Sequence, residues 1–141
     1  MSTPEAATDL ITVVSPARNE ADGIEAFHQR LVAAVAEIPE ASWEFIYVDD
    51  GSTDATFAKL SDIAAGDDRV RVLRLSRNFG HQLAITCGLD HSNGDAVVVI
   101  DSDLQDPPEI IAEMVAVMAR WRRCCLWSTA ASIGRDMVQA S

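Results

Sequence analysis

Four short apolar runs constrain this chain more than any other feature. Leu10–Val14, Phe45–Val48, Val70–Leu75 and Ala96–Ile100 are rich in Val, Ile and Leu, and none exceeds six residues. Runs of that length suit strands buried within a sheet. The segments between them carry helical spacing instead. Ile24, Phe27, Leu31, Val35 and Ile38 mark a helix over about 21–38, stopped by Pro39. Phe57, Leu60 and Ile63 mark a second helix, capped by Ser52 or Thr53 and ended by Gly66. A third is expected over about 80–92. The fourth has Asp106 at its N-cap, Pro107 in its first position and Glu109 closing a capping box. Its core stripe is Ile110, Met114, Met118 and Trp121. Strands alternating with helices predict an α/β fold with a largely parallel sheet. Arg71 and Arg74 predict a less buried third strand, and the continuous Ala96–Ile100 run a central fourth one.

Composition narrows the function classes. The chain has 141 residues, the size of one domain, and 48% of them are hydrophobic, enough for a core. The formal net charge is −11. So acidic a surface repels nucleic acid and anionic lipid, so neither is an expected partner of this segment. The three cysteines, Cys87, Cys124 and Cys125, form no C-x-x-C pair, which reads as reduced thiols in a cytoplasmic protein. Met1–Asp9 is polar and acidic, unlike a secretory signal, and Ala96–Ile100 is far too short to span a bilayer. Membrane association is expected only through parts outside this chain.

In an open parallel sheet, ligands bind beyond the carboxyl ends of the strands. Here those ends are Pro16-Ala17-Arg18-Asn19-Glu20, Asp49-Asp50-Gly51-Ser52, Ser76-Arg77-Asn78-Phe79-Gly80 and Asp101-Ser102-Asp103-Leu104-Gln105-Asp106. Polar residues gather at one edge four times over. Carboxylates two apart, as in Asp101 and Asp103, can approach one point, and a divalent cation relieves their repulsion. Magnesium and manganese take oxygen ligands, commonly one or two carboxylates plus substrate phosphates. A lone D-x-D is short and common, so a plain polar loop competes with this reading. Asp106 and Glu109 are read as helix-start residues. Asp49 and Asp50 exceed what a turn before Gly51 requires, and a carboxylate there can accept from a nucleobase N–H or a ribose hydroxyl. Arg77 and His81 flank a helix N-terminus, a place for phosphate oxygens. His28 reads as structural, and His91 as a residue favouring a helix C-terminus. A nucleotidyltransferase would need a Gly-rich basic loop after the first strand, and a D-x-D phosphatase its acids there. A NAD-binding domain would need G-x-G-x-x-G. The sequence Ser15–Glu20 has none of these.

The four motifs, taken in order, resemble family-2 glycosyltransferases, nearest to dolichyl-phosphate mannose synthase and its bacterial polyprenyl-phosphate sugar transferase relatives. The resemblance covers about the first 120 residues. It implies a glycosyltransferase-A fold, α/β with a mainly parallel sheet and here cut short. It implies inverting, metal-dependent transfer of a sugar from a nucleotide diphosphate sugar to a polyprenyl phosphate. Pro16, Ala17 and Glu20 would line the nucleotide pocket, and Asp50, with Asp49, would hold the base or ribose. Asp101 would sit by the ribose and sugar. Asp103 and Gln105 would ligate Mg2+ or Mn2+, and Arg77, Asn78 and Gly80 would shape the donor side. Full-length relatives would work at the cytoplasmic face of the membrane. The alternative is a catalytically incomplete donor-binding unit.

Residues 1–121 are thus read as the nucleotide-sugar-binding part. Residues 122–141 are expected to be an atypical tail, produced by truncation or a frame shift. Residues 120–141 hold four arginines and one acid, reversing the charge balance, and show no turn and apolar strand. Ala130–Val138 is the one weak helix candidate there.

Overall fold

The computed structural model describes residues 10–39, 41–103, 107–116 and 136–139. Its strands are β1 (Leu10–Ala17), β2 (Ser42–Asp49), β3 (Val70–Arg74), β4 (Ala96–Val99) and β5 (Asp136–Gln139). Its helices are α1 (Ile24–Ala36), α2 (Thr56–Gly66) and α3 (His81–Asp90). A 3-10 turn, Pro108–Ile110, continues helically through residues 111–116. All strand pairs are parallel, in the order β3-β2-β1-β4-β5. The expected α/β fold is present.

The period of two along β1 sends Val13 to one face and Val14 to the other. Val13 joins Phe27, Leu31, Phe45, Tyr47, Leu60 and Ile111 in one buried cluster under α1 and α2. Val14 joins Ile46, Val48, Ala84, Ile85, Val97 and Val99 under α3. Fully burying one such side chain stabilises the fold by about 1.5–3 kcal/mol. Gly88 lets α3 lie close on β1, because a Cβ there would sit 2.4 Å from Val14 Cγ1. His28 is buried and hydrogen-bonded through Nδ1 to the Tyr47 hydroxyl at 2.7 Å, a structural place as expected. Burial holds its pKa below the usual histidine value, against the pull of Asp67. β3 is part-exposed and lies at the sheet edge, as its arginines predict.

Several expected boundaries shift for identifiable reasons. α2 starts at Thr56, with neither Ser52 nor Thr53 as its cap. The Ser52 hydroxyl accepts instead from Asn19 N at 2.9 Å, and Thr53 N donates to Asn19 Oδ1 at 2.8 Å. Asp54 Oδ1 serves the helix start, accepting from Thr56 N at 2.9 Å. Gly66 ends α2 without a left-handed turn, since Asp67 follows in an extended conformation. Pro107 takes the N-cap position and Pro108 the first helical one. A residue preceding proline is pushed out of the helical region, so Pro107 cannot begin the helix. The Glu109 carboxylate accepts from Arg30 Nη2 at 2.7 Å and Nε at 3.2 Å, and the capping box expected with Asp106 falls outside the described residues. Ile111 and Met114 are buried, with Ile110 packed beside them. Asp106, Met118 and Trp121 lie outside the described residues.

The stretch expected to lack a strand contains β5, whose Asp136 pairs with Ala96 of β4. Residues 136–138 are strand rather than part of the helix suggested over Ala130–Val138, whose earlier residues lie outside the described ones. The free edge of β4 offers backbone donors and acceptors to any extended segment, and that offer leaves no mark in a four-residue pattern. Among the described residues, no helix is long and apolar enough to cross a membrane.

Candidate functional site

Between β1 and β4 the strand order reverses: β2 and β3 lie on one side of β1, β4 and β5 on the other. The loops leaving the sheet there part in opposite directions and leave a crevice. It is a pocket of about 330 Å³. The end of β1 contributes Pro16, Ala17, Arg18 and Glu20, and the loop after β2 contributes Asp50. The start of α3 contributes Asn78, Gly80 and His81, and the loop after β4 contributes Asp101, Ser102 and Asp103.

The first two loops brace one another. Asn19, at φ 55, occupies the left-handed region that Asn tolerates better than most residues. From there it takes the bonds to Ser52 and Thr53 already described. Glu20 N donates to the Thr56 hydroxyl at 2.8 Å, and Lys59 Nζ to Ala21 O at 2.8 Å. These bonds set the height at which the Glu20 carboxyl meets the pocket.

The acids after β2 are both engaged. Asp49 is fully buried; its Oδ1 accepts from Ser52 N at 3.0 Å. Its Oδ2 makes no hydrogen bond and lies 3.7 Å from Arg74 Nε. Asp50 is 4% exposed, and its two oxygens accept from Phe79 N at 2.8 Å and Gly80 N at 3.1 Å.

The acids after β4 stand differently. Between them Ser102 is buried, and its hydroxyl donates to Pro16 O at 3.0 Å. Anchoring the middle residue leaves Asp101 part-exposed and Asp103 exposed, both lining the pocket. His81 Nε2 approaches Asp101 Oδ1 at 3.5 Å. Burial, then the carboxylates of Asp103, Asp54 and Asp101, push the Glu20 carboxyl above its ordinary value. That is the signature of negative charge concentrated on one volume. The available donors, Asp101 and Asp103 with Glu20 near, are all oxygen, the chemistry that suits a hard divalent cation. Among the described residues no three acidic, His or Cys groups are arranged as a ready-made metal cage. The chemistry fits a cation that keeps waters and substrate oxygens in its shell.

Of the residues singled out in sequence, Pro16, Ala17, Glu20, Asp50, Asn78, Gly80, Asp101 and Asp103 line the pocket together. Asp49 and Arg77 are not among the lining residues; the Arg77 guanidinium lies over the Phe79 ring at 4.0 Å. Gln105 lies outside the described residues. Arg18 and Ser102 line the pocket without having been named as site residues, and His81, read in sequence as flanking a place for phosphate oxygens, lines it too. For His81, the signal was its place directly after the glycine that starts a helix. For Ser102, it was its place between two acids on an alternating chain.

Comparison with known proteins agrees with this geometry. Residues 12–136 match the sequence profile described as "Glycosyl transferase family 2". A protein named uncharacterized glycosyltransferase YkcC, from Bacillus subtilis, is 45% identical over 104 residues, covering 74% of this chain and 32% of that one. A bactoprenol glucosyl transferase of Shigella phage SfV is 40% identical over 105 residues, covering 74% of this chain and 34% of that one. The chain therefore spans about a third of the length of the curated relatives it matches. Among solved structures, a mannosyltransferase from Pyrobaculum calidifontis in complex with GDP-Man and Mn2+ superposes with a TM-score of 0.60 at 25% identity, covering 72% of this chain and 30% of that one. Staphylococcus aureus TarS 1–349 in complex with UDP-GlcNAc, at 22% identity and a TM-score of 0.58, shares the fold. On the profile match, with the glycosyltransferase fold and the crevice beside it, the chain belongs to glycosyl transferase family 2.

Proposed function

We propose that this chain binds the donor in a metal-dependent, inverting transfer of sugar from a nucleotide diphosphate sugar to a polyprenyl phosphate. One observation carries the reading: Glu20, Asp101 and Asp103 line one crevice with the start of α3, where burial first and the neighbouring aspartates second raise the Glu20 carboxyl. A cluster of carboxylates beside a helix N-terminus suits a cation and a diphosphate held together. The acceptor follows from the relatives whose names specify bactoprenol glucosyl transfer. The donor class follows from the solved neighbour holding GDP-Man and Mn2+.

In this reading Asp103 with Asp101, and Gln105 as the resemblance implies, would hold Mg2+ or Mn2+. The cation would supply charge neutralisation for the departing nucleoside diphosphate. Pro16, Ala17 and Glu20 border the nucleotide, and the start of α3 turns its positive dipole end toward the phosphates. A lipid phosphate is already an anion, so it attacks the anomeric carbon without needing a strong general base. Positioning and charge stabilisation then supply the rate. Full-length relatives would act at the cytoplasmic face of the membrane.

The test is a thermal-shift panel of UDP-, GDP- and dTDP-sugars with and without Mn2+. At least one pairing is expected to raise the melting temperature, and only with the cation. No shift with any of them would sink the reading.

A further inference from the structure

We propose that the Arg18 guanidinium is the platform on which the nucleobase of the donor rests, a contact with the face of the base rather than its edge. The inference rests on the reading of this pocket as a nucleotide-diphosphate site.

Four observations carry it. Arg18 directly follows β1, is exposed and lines the pocket. Glu20, Asp50, Asp101 and Asp103 line the same crevice, yet among the described residues the Arg18 guanidinium has no ion-pair partner. Its stem also rises from a fixed point. On one side of it Ala17 O accepts from Asp50 N at 2.9 Å. On the other, Asn19 N donates to the Ser52 hydroxyl at 2.9 Å, and Asn19 Oδ1 accepts from Thr53 N at 2.8 Å. A backbone pinned on both sides leaves less ordering for a ligand to impose.

The bond between Ala17 and Asp50 sets Arg18 on the Asp50 side of the pocket. Phe79 N and Gly80 N each donate to one oxygen of that carboxylate, at 2.8 and 3.1 Å. Each oxygen has two lone pairs, so Asp50 keeps acceptors for a base N–H, the role that the resemblance implies for it. A base held there by its edge still has faces to cover. Asp101 and Asp103 follow β4, on the other side of β1 from β2, so a cation and diphosphate fall to that side. Among the described residues, no Phe, Tyr or Trp lines the pocket. Of the lining side chains, those that stack on aromatic faces are the Arg18 guanidinium and the His81 imidazole. His81 Nε2 is turned to Asp101 Oδ1, 3.5 Å away, which leaves Arg18 for the base. Arginine on an aromatic face is also a contact that this protein uses elsewhere. Arg69 lies over Phe45, Arg74 over Phe57 and Arg77 over Phe79, at 5.1, 4.3 and 4.0 Å.

A platform and a phosphate-binding charge leave different signatures. A platform needs a flat surface, holds different bases alike and ignores a ligand without a base. A charge needs only a cation and acts on the diphosphate itself. Affinities for UDP, GDP and inorganic pyrophosphate with Mn2+ would be measured by calorimetry for wild type and three variants of this exposed position. Arg18→Ala is expected to weaken each nucleotide that wild type binds by about tenfold, and pyrophosphate by less than about twofold. Arg18→Lys keeps the charge without the plane and should stay as weak as Arg18→Ala. Arg18→Phe keeps the plane without the charge and should return to within about threefold of wild type. Rescue by Lys and not by Phe, an equal loss for pyrophosphate, or unchanged nucleotide affinity in Arg18→Ala overturns the proposal and leaves the functional reading standing. If wild type binds neither nucleotide, the functional reading fails and this inference fails with it.

Discussion

The acid pairs Asp49–Asp50 and Asp101–Asp103 flank β1 from opposite sides, and the structure puts them to opposite uses. The first pair is buried, 0% and 4% exposed, and its oxygens meet the amides of Ser52, Phe79 and Gly80. Arg74 faces the remaining oxygen of Asp49. The second pair looks into the pocket around an anchored Ser102, and its field adds to that on Glu20. A carboxylate that takes backbone N–H groups from neighbouring loops holds those loops together. One surrounded by other carboxylates gains most from a cation. Both begin as acids at the end of a parallel strand, so the neighbours rather than the residue type separate structural from ligand-binding charge.

Removing the cation should give the largest effect. EDTA is expected to weaken nucleotide-sugar binding by about a hundredfold, ~2.7 kcal/mol, in calorimetry. Asp103→Asn should cause a similar loss with the melting temperature unchanged, while Asp49→Asn keeps the cation dependence. Equal affinity with and without EDTA would dissolve the contrast between the pairs. Next comes stability. Asp49→Ala should cost about 1.5–3 kcal/mol in urea unfolding, because a buried amide loses its charged acceptor. Asp103→Ala should stay within about 0.5 kcal/mol, as for other exposed positions. Similar costs for the two would mean that the second pair is as structural as the first.

Ser102→Ala sharpens the comparison further. Loss of its bond to Pro16 O should cost about 1 kcal/mol. It should also weaken cation binding several-fold, since both acids take their aim from that anchor. Cation binding at wild-type strength would show that the loop holds its shape by other contacts.

The smallest effect concerns Glu20. Its folded pKa lies above the ordinary 4.5, from burial first and the three aspartates second. A raised carboxyl favours the folded state when protonated. Its ionised form therefore weakens the fold at pH 7, and the penalty disappears as pH falls through the raised value toward 4.5. Glu20→Gln should shift the urea midpoint slightly upward at pH 7 and not at all near pH 4. Mn2+ should narrow the gap at pH 7. A midpoint gain that persists at pH 4 would trace to something other than charge.

Much of the fold was legible because its signals are local. Val13 and Val14 alternate between two faces, and Ile24, Phe27 and Leu31 repeat at helical spacing, whatever lies around them. The missed features all depend on partners distant in sequence. Ser52 and Thr53 look like helix caps, yet Asn19 claims them across 33 and 34 residues. β5 owes its place to the exposed backbone of β4, about forty residues earlier. Pro107 is the exception, since the rule that a residue before proline avoids the helix was readable in the sequence.

The sequence by itself determined the α/β alternation and the edge at which the acids gather, because periodicity and strand ends are properties of consecutive residues. Only the tertiary structure decided which acid braces a loop and which faces the pocket. A carboxylate's role depends on the donors and charges within a few ångströms of it, and for Asp50 and Glu20 those come from residues 29 to 83 positions away.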